Sequence, residues 1–96
     1  MYASIRKGKV KPGTSLDEVV TLINMGALPI LSAIPGFESA YIVRGDDESF
    51  FAMSLFADKA AAEQSNGQIL DWLRQNLGPV LAGPPEALVG EVVAHR

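Results

Sequence analysis

Apolar residues recur at steps of three and four along one long stretch of this chain, bracketed by two Pro-Gly pairs. Val10-Lys11-Pro12-Gly13 opens the stretch and Ile34-Pro35-Gly36-Phe37 closes it. Between them Leu16, Val20, Ile23, Ala27, Ile30 or Leu31, and Ile34 fall on one face of a helix. The spacing predicts a helix from Ser15 to Ala33. Ser15 can cap its first turn, with Glu18 completing a capping box. Pro35-Gly36 stops it, because proline has no N–H to donate and glycine accepts a left-handed backbone. Pro29 lies inside and removes the bond to the Met25 carbonyl, which predicts a kink.

Around this helix the period changes to two. Tyr2 to Val10 reads as a strand, with Ala3 and Ile5 on one face and Tyr2, Ser4 and Arg6 on the other. Phe37 to Arg44 and Ser49 to Phe56 read as two more, joined by a hairpin at Gly45-Asp46-Asp47-Glu48. Arg44-Gly45-Asp46 spells an integrin-recognition tripeptide, but a tight turn accounts for it. Asp58 caps a second helix that carries Ile69, Leu70, Leu73 and Leu77 and ends at Gly78-Pro79. Asn66-Gly67 weakens that helix without breaking it, since the apolar spacing resumes afterwards. Val80 to Glu86 is a connector. Ala87 to His95 reads as the last strand, with Val89, Glu91, Val93 and His95 on one face.

The order is strand–helix–strand, twice. Right-handed crossovers then set the strands side by side as fourth, first, third, second, each antiparallel to its neighbours. This is a ferredoxin-like α+β domain spanning residues 1–96, with both helices on one side of a four-stranded sheet. Two helices cover one face only, yet the strands are apolar on both. Phe37, Tyr41 and Val43 oppose Ala40 and Ile42; Phe51, Met53 and Leu55 oppose Phe50, Ala52 and Phe56. An antiparallel sheet with one wet face alternates apolar with polar. The pattern therefore predicts a homodimer formed through the open sheet face.

Composition narrows the function classes. The chain has 96 residues, 48% of them hydrophobic and 20% charged, which suits a folded domain. A net charge of −3 gives no electrostatic footprint for nucleic acid. There is no cysteine, so disulfide and thiolate chemistry are excluded. The run Met1-Tyr2-Ala3-Ser4-Ile5-Arg6-Lys7 becomes charged too early for a signal peptide, and no apolar run approaches a membrane span. A cytoplasmic protein without a membrane partner is the expectation. Lys7, Lys9 and Lys11 read as a solvated strand end.

Taken together, Val10-Lys11-Pro12-Gly13, Pro29, Ile34-Pro35-Gly36-Phe37, Leu55-Phe56-Ala57-Asp58 and Trp72 make the chain resemble the dimeric α+β-barrel superfamily. Within it, the likeness is to the antibiotic biosynthesis monooxygenase-like group, over nearly the whole length. The resemblance implies oxidation of a small phenolic or quinol-like substrate with no cofactor, in a pocket between sheet and helices. The superfamily also holds non-catalytic members, so a homodimeric module binding a small apolar or aromatic ligand is the other reading.

Five residues are candidates for such a pocket. His95 is the one histidine and the base nearest neutrality by its ordinary pKa; as the penultimate residue it also suits a frayed end or a subunit contact. Asn24 is, with His95, a candidate catalytic residue, although a place on the polar face of its helix is its simpler reading. Trp72, Tyr41 and Arg6 are candidate ligand-binding residues. Trp72 also suits helix packing, Tyr41 an edge position, and Arg6 a cross-strand pair with Glu91. No convergent ligand set for a metal is legible. The haem-degrading branch pairs an asparagine on the first strand with a tryptophan and a later histidine. Here Tyr2 to Val10 has no asparagine and the place after Trp72 holds Ala82, so no haem is expected.

Overall fold

A computed structural model describes residues 1–96. Strand β1 (Tyr2–Lys9) is followed by α1 (Leu16–Ser32), β2 (Phe37–Arg44), β3 (Ser49–Phe56), α2 (Lys59–Leu77) and β4 (Glu86–Glu91). A single 3-10 turn, Gly78–Val80, follows α2. The sheet order is β2-β3-β1-β4, all pairs antiparallel, as the βαββαβ pattern requires. No helix is long and apolar enough to cross a membrane.

The helix signals act where the sequence places them. The Ser15 hydroxyl accepts from the Glu18 N–H at 3.3 Å, and the Asp58 carboxylate from the Ala61 N–H at 2.8 Å. Pro29 is accommodated inside α1. The buried stripe of α1 is Val19, Ile23, Ala27 and Leu31, a strict four-residue step. Val19 thus takes the inward position that the spacing assigns to Val20. Helix α2 runs unbroken through Asn66-Gly67 and buries Ala61, Ala62, Ile69, Leu73 and Leu77 against the sheet.

The core lies between the helices and the inner face of the sheet. Phe50 and Phe56 are fully enclosed there, each worth about 1.5–3 kcal/mol of burial. Phe50 lies across Gly8, where a Cβ would come within 2.5 Å of the ring. Between the helices, the Trp72 ring lies on Gly26 in the same manner, at 2.4 Å from where a Cβ would stand.

Two strand expectations are corrected. Phe37 pairs with Phe56 and Ser39 with Leu55, so Glu38 is an extra residue in a bulge. The bulge turns Phe37 inward beside Ala40 and Ile42, where its ring meets Phe56 edge-on at 5.8 Å. Phe37 is therefore not on the same face as Tyr41 and Val43. The last strand is also shorter than Ala87 to His95. It ends at Glu91, and the Val92 N–H makes one further bond to the Met1 carbonyl.

Candidate functional site

Strand β1 turns its polar residues inward. Ser4 and Arg6 share the helix-facing side with Ser54 and Ala52 of β3, directly opposite them in the register. From above, α2 contributes Ser65 and Asn66, one and two turns before Ile69 and Leu73 on its buried stripe. The polar residues Ser4, Arg6, Ser54, Ser65 and Asn66 meet in the middle of an otherwise apolar layer, and all are buried.

Arg6 is the centre of the cluster and only 1% exposed. Its Nη1 donates to Ser4 Oγ and to Asn66 Oδ1, both at 2.9 Å, and its Nη2 donates to Ser54 Oγ at 2.8 Å. Ser65 Oγ sits 2.8 Å from Ser4 Oγ and 2.7 Å from the Ala62 carbonyl. The Asn66 amide nitrogen donates to the Leu88 carbonyl at 3.1 Å, tying α2 to β4. Every acceptor around the guanidinium is neutral, and its Nε–H has no partner. Burial pulls its pKa down, to about 10, so the group remains a cation at neutral pH.

The expected cross-strand pair of Arg6 with Glu91 does not form. Arg6 stands opposite Ala87 and Glu91 opposite Tyr2, four positions along the strand. The inward turn of Arg6 follows from strand parity: it shares the face of Tyr2 and Ser4.

The other candidates do not converge on it or on one another. Tyr41 lies opposite Met53 on the bare face of the sheet, 52% exposed. Trp72 lies in the helix layer on Gly26, at the rim of an open hollow with Ile30, Gln68 and Gln75. The sheet separates the two, so they share no pocket. Asn24 lines a separate groove of about 600 Å³ between α1 and β2, with Leu28, Pro29, Phe37 and Ala40. His95 is exposed in the tail after β4. No group of three or more His, Asp or Glu residues is arranged to hold a metal ion.

Ser4, Ser54, Ser65 and Asn66 are the members that sequence reasoning missed. Each interrupts an apolar period: Ser4 and Ser54 on inward strand positions, Ser65 and Asn66 on the inward stripe of α2. A polar residue on the buried phase of a period was the available signal.

The bare face carries the opposite chemistry. Ile5, Phe51, Met53 and Leu55 form its middle, with Tyr41, Val43 and Leu88 more than half exposed around them. Lys7 extends over the Phe51 ring, its Nζ 5.5 Å from the centroid.

Comparison with known structures places this architecture. A protein of unknown function from Nitrosomonas europaea superimposes with a TM-score of 0.77 at 26% identity, over 99% of this chain and 91% of that one. A cofactor-independent oxygenase from Streptomyces nogalater gives 0.75 at 15% identity, over 98% and 94%. A monooxygenase from Streptomyces coelicolor, solved with Nanaomycin D, gives 0.72 at 21%, over 98% and 92%. The chain has the antibiotic biosynthesis monooxygenase fold. That fold, a dimeric α+β barrel, recurs among its structural neighbours. No protein-family model matches the chain, and neither does any curated protein.

Proposed function

We propose that the protein works as a homodimer closed sheet to sheet, and that it is a cofactor-independent monooxygenase of a small phenolic or quinol-like substrate. One observation carries the catalytic half: the buried Arg6 guanidinium has neutral partners only and a free Nε–H. A fixed positive charge in a water-poor interior favours a guest that becomes negative, such as a phenolate or enolate. Such an anion is electron-rich enough to reduce dioxygen itself. In an anthrone-type substrate a ring CH₂ becomes C=O, one oxygen atom enters the product and the other leaves as water, so the substrate supplies all the electrons. The protein contributes desolvation, orientation and charge stabilisation. An oxygenase and a monooxygenase among the fold's neighbours support the direction.

The assembly half rests on the bare face, where a second copy would cover Ile5, Phe51, Met53 and Leu88. A second reading has its own support. The main surface concavities are open, and Arg6 lines none of them. A packed interior favours a non-catalytic homodimeric module that holds a small apolar ligand in the Asn24 groove.

Oxygen-electrode traces on a panel of dihydroxynaphthalenes and anthrones separate the readings. The oxygenase consumes oxygen stoichiometrically with product and loses at least about tenfold in rate on Arg6→Gln. Background uptake across the panel leaves the module. Sedimentation at micromolar concentration reads the dimer independently.

A further inference from the structure

The bare face of the sheet is not uniformly apolar. Its rows follow from the register: Tyr41, Met53, Ile5 and Leu88 lie side by side across the four strands. Val43, Phe51, Lys7 and Glu86 form the next row. The first is apolar but for the Tyr41 hydroxyl, and the second ends in two opposite charges. Here the surface sinks into a hollow of about 270 Å³, walled by Ile5, Phe51 and Leu88 and bordered by Lys7 and Glu86. Sites for drug-sized ligands run to roughly 300–1,000 Å³, so this one suits a smaller guest.

Lys7 and Glu86 stand directly opposite each other in the β1–β4 ladder, where opposite charges stabilise a sheet by pairing. They form no pair: the four ion pairs of the chain involve other residues. Lys7 turns the other way and lays its ammonium over the Phe51 ring on β3. A cation and a carboxylate are thus parted across an apolar floor. No other hollow combines these features. The Asn24 groove has no charged residue, and the hollow on the first turns of α1 has carboxylates only. At the Trp72 hollow Asp71 is already paired with Arg74. A smaller hollow at Gly83-Pro84 shares Lys7 and Glu86 but has only Ala82 as a hydrophobic wall.

We propose that this hollow binds a free apolar α-amino acid of the size of leucine or phenylalanine. Its carboxylate meets the Lys7 ammonium, its ammonium meets the Glu86 carboxylate, and its side chain lies on Ile5, Phe51 and Leu88. Such a guest satisfies both charges and the apolar floor at once. An apolar acid would leave Glu86 facing a like charge, and an apolar amine would do the same to Lys7. The cover of the site rests on the homodimer reading: closed sheet to sheet, the dimer encloses one hollow on each copy. Both charge contacts then strengthen as water is excluded, and ligand binding and self-association favour each other. The monooxygenase reading is not involved.

Equilibrium dialysis of the full chain against L-leucine tests the site, beside two probes that each lack one charge, 4-methylpentanoate and isopentylamine. Leucine is expected to bind at least about tenfold tighter than either, since each probe loses a charge-assisted hydrogen bond. Lys7→Met and Glu86→Gln should each weaken leucine by about tenfold, with circular dichroism unchanged. Sedimentation with and without leucine reads the cover. Leucine should tighten self-association of the wild type and leave that of Lys7→Met as it was. Absence of leucine binding, or equal affinity for leucine and both probes, overturns the site. Leucine bound by a protein that stays monomeric supports the site and removes the homodimer reading. A dimer that binds no leucine, its hollow filled by the partner's side chains, overturns the site and leaves that reading standing.

Discussion

The two faces of this sheet have exchanged their usual chemistry. The face beneath the helices, which should be the dry one, holds Arg6, Ser4 and Ser54 at its middle, met by Ser65 and Asn66 of α2. The face without helices, which should be wet, presents Ile5, Phe51, Met53, Leu55 and Leu88. A sheet gains most by burying apolar area and leaving polar groups in water. Both departures run against that gain, and each needs a separate compensation. Inside, hydrogen bonds supply it for all but one donor. Outside, a second copy would supply it. The enclosed layer is thus built around a buried charge, and the bare layer leaves apolar area uncovered.

The largest expected effect comes from removing the charge. Arg6→Met leaves Ser4, Ser54 and Asn66 without their donor in a buried layer. Unsatisfied groups cost about 1–3 kcal/mol each, partly offset by relief of the guanidinium's desolvation. A net loss of about 2–4 kcal/mol in urea unfolding, at fixed protein concentration, is expected. Unchanged stability would mean that the polar layer holds nothing together.

On the other face, Phe51→Glu puts a charge at the middle of the apolar patch and should spare the monomer's fold. Self-association should weaken by about 2 kcal/mol or more, roughly thirtyfold. Sedimentation equilibrium measures it, with circular dichroism as the control for folding. Association equal to wild type would place the interface elsewhere.

A smaller effect sharpens the picture of the enclosed face. Gly67→Ala has room for its methyl group and should stabilise α2 by about 0.5–1 kcal/mol. The gain should appear in urea unfolding and in slower amide exchange around Asn66. Loss of stability would show that Gly67 serves a contact rather than a soft turn.

Smallest is the hairpin end. The Ser49 hydroxyl donates to the Asp47 carboxylate and lowers its pKa, with the peptide N–H and Lys9 adding to the effect. A lowered carboxylate pKa stabilises the fold above the ordinary carboxylate range, and that contribution fades as pH falls through the folded value. Ser49→Ala should raise the Asp47 pKa toward its ordinary value, as read by NMR titration. Global stability should stay the same within error, since the group is exposed.

The fold is legible in the sequence because its signals are local. Capping residues, Pro-Gly stops, the hairpin turn and a crossover rule suffice to order β2-β3-β1-β4. The candidate site is legible only in part. Arg6 is among the residues the sequence singles out, but the partners that bury it lie sixty residues away on α2 and forty-eight away on β3. No periodicity announces such meetings. Alternation alone puts Phe37 on the wrong face, because a bulge shifts parity by one residue and leaves no composition mark. It also carries the last strand on to His95, since Val92-Val93-Ala94 is strand-like, whereas the ladder with β1 ends at the pair Tyr2 and Glu91.

The contact of Trp72 with Gly26 has a consequence for the history of this sequence. The indole occupies the volume that any side chain at position 26 would need, so neither position is free to drift alone. Gly26→Ala should be damaging by about 1–3 kcal/mol as overpacking. The same change beside a leucine at position 72 should be far milder. Homologues are then expected to sort into two lineages, one with glycine under an aromatic ring and one with a larger residue under a smaller partner. Passage between them runs through a less stable intermediate, so the pair should be inherited as a unit.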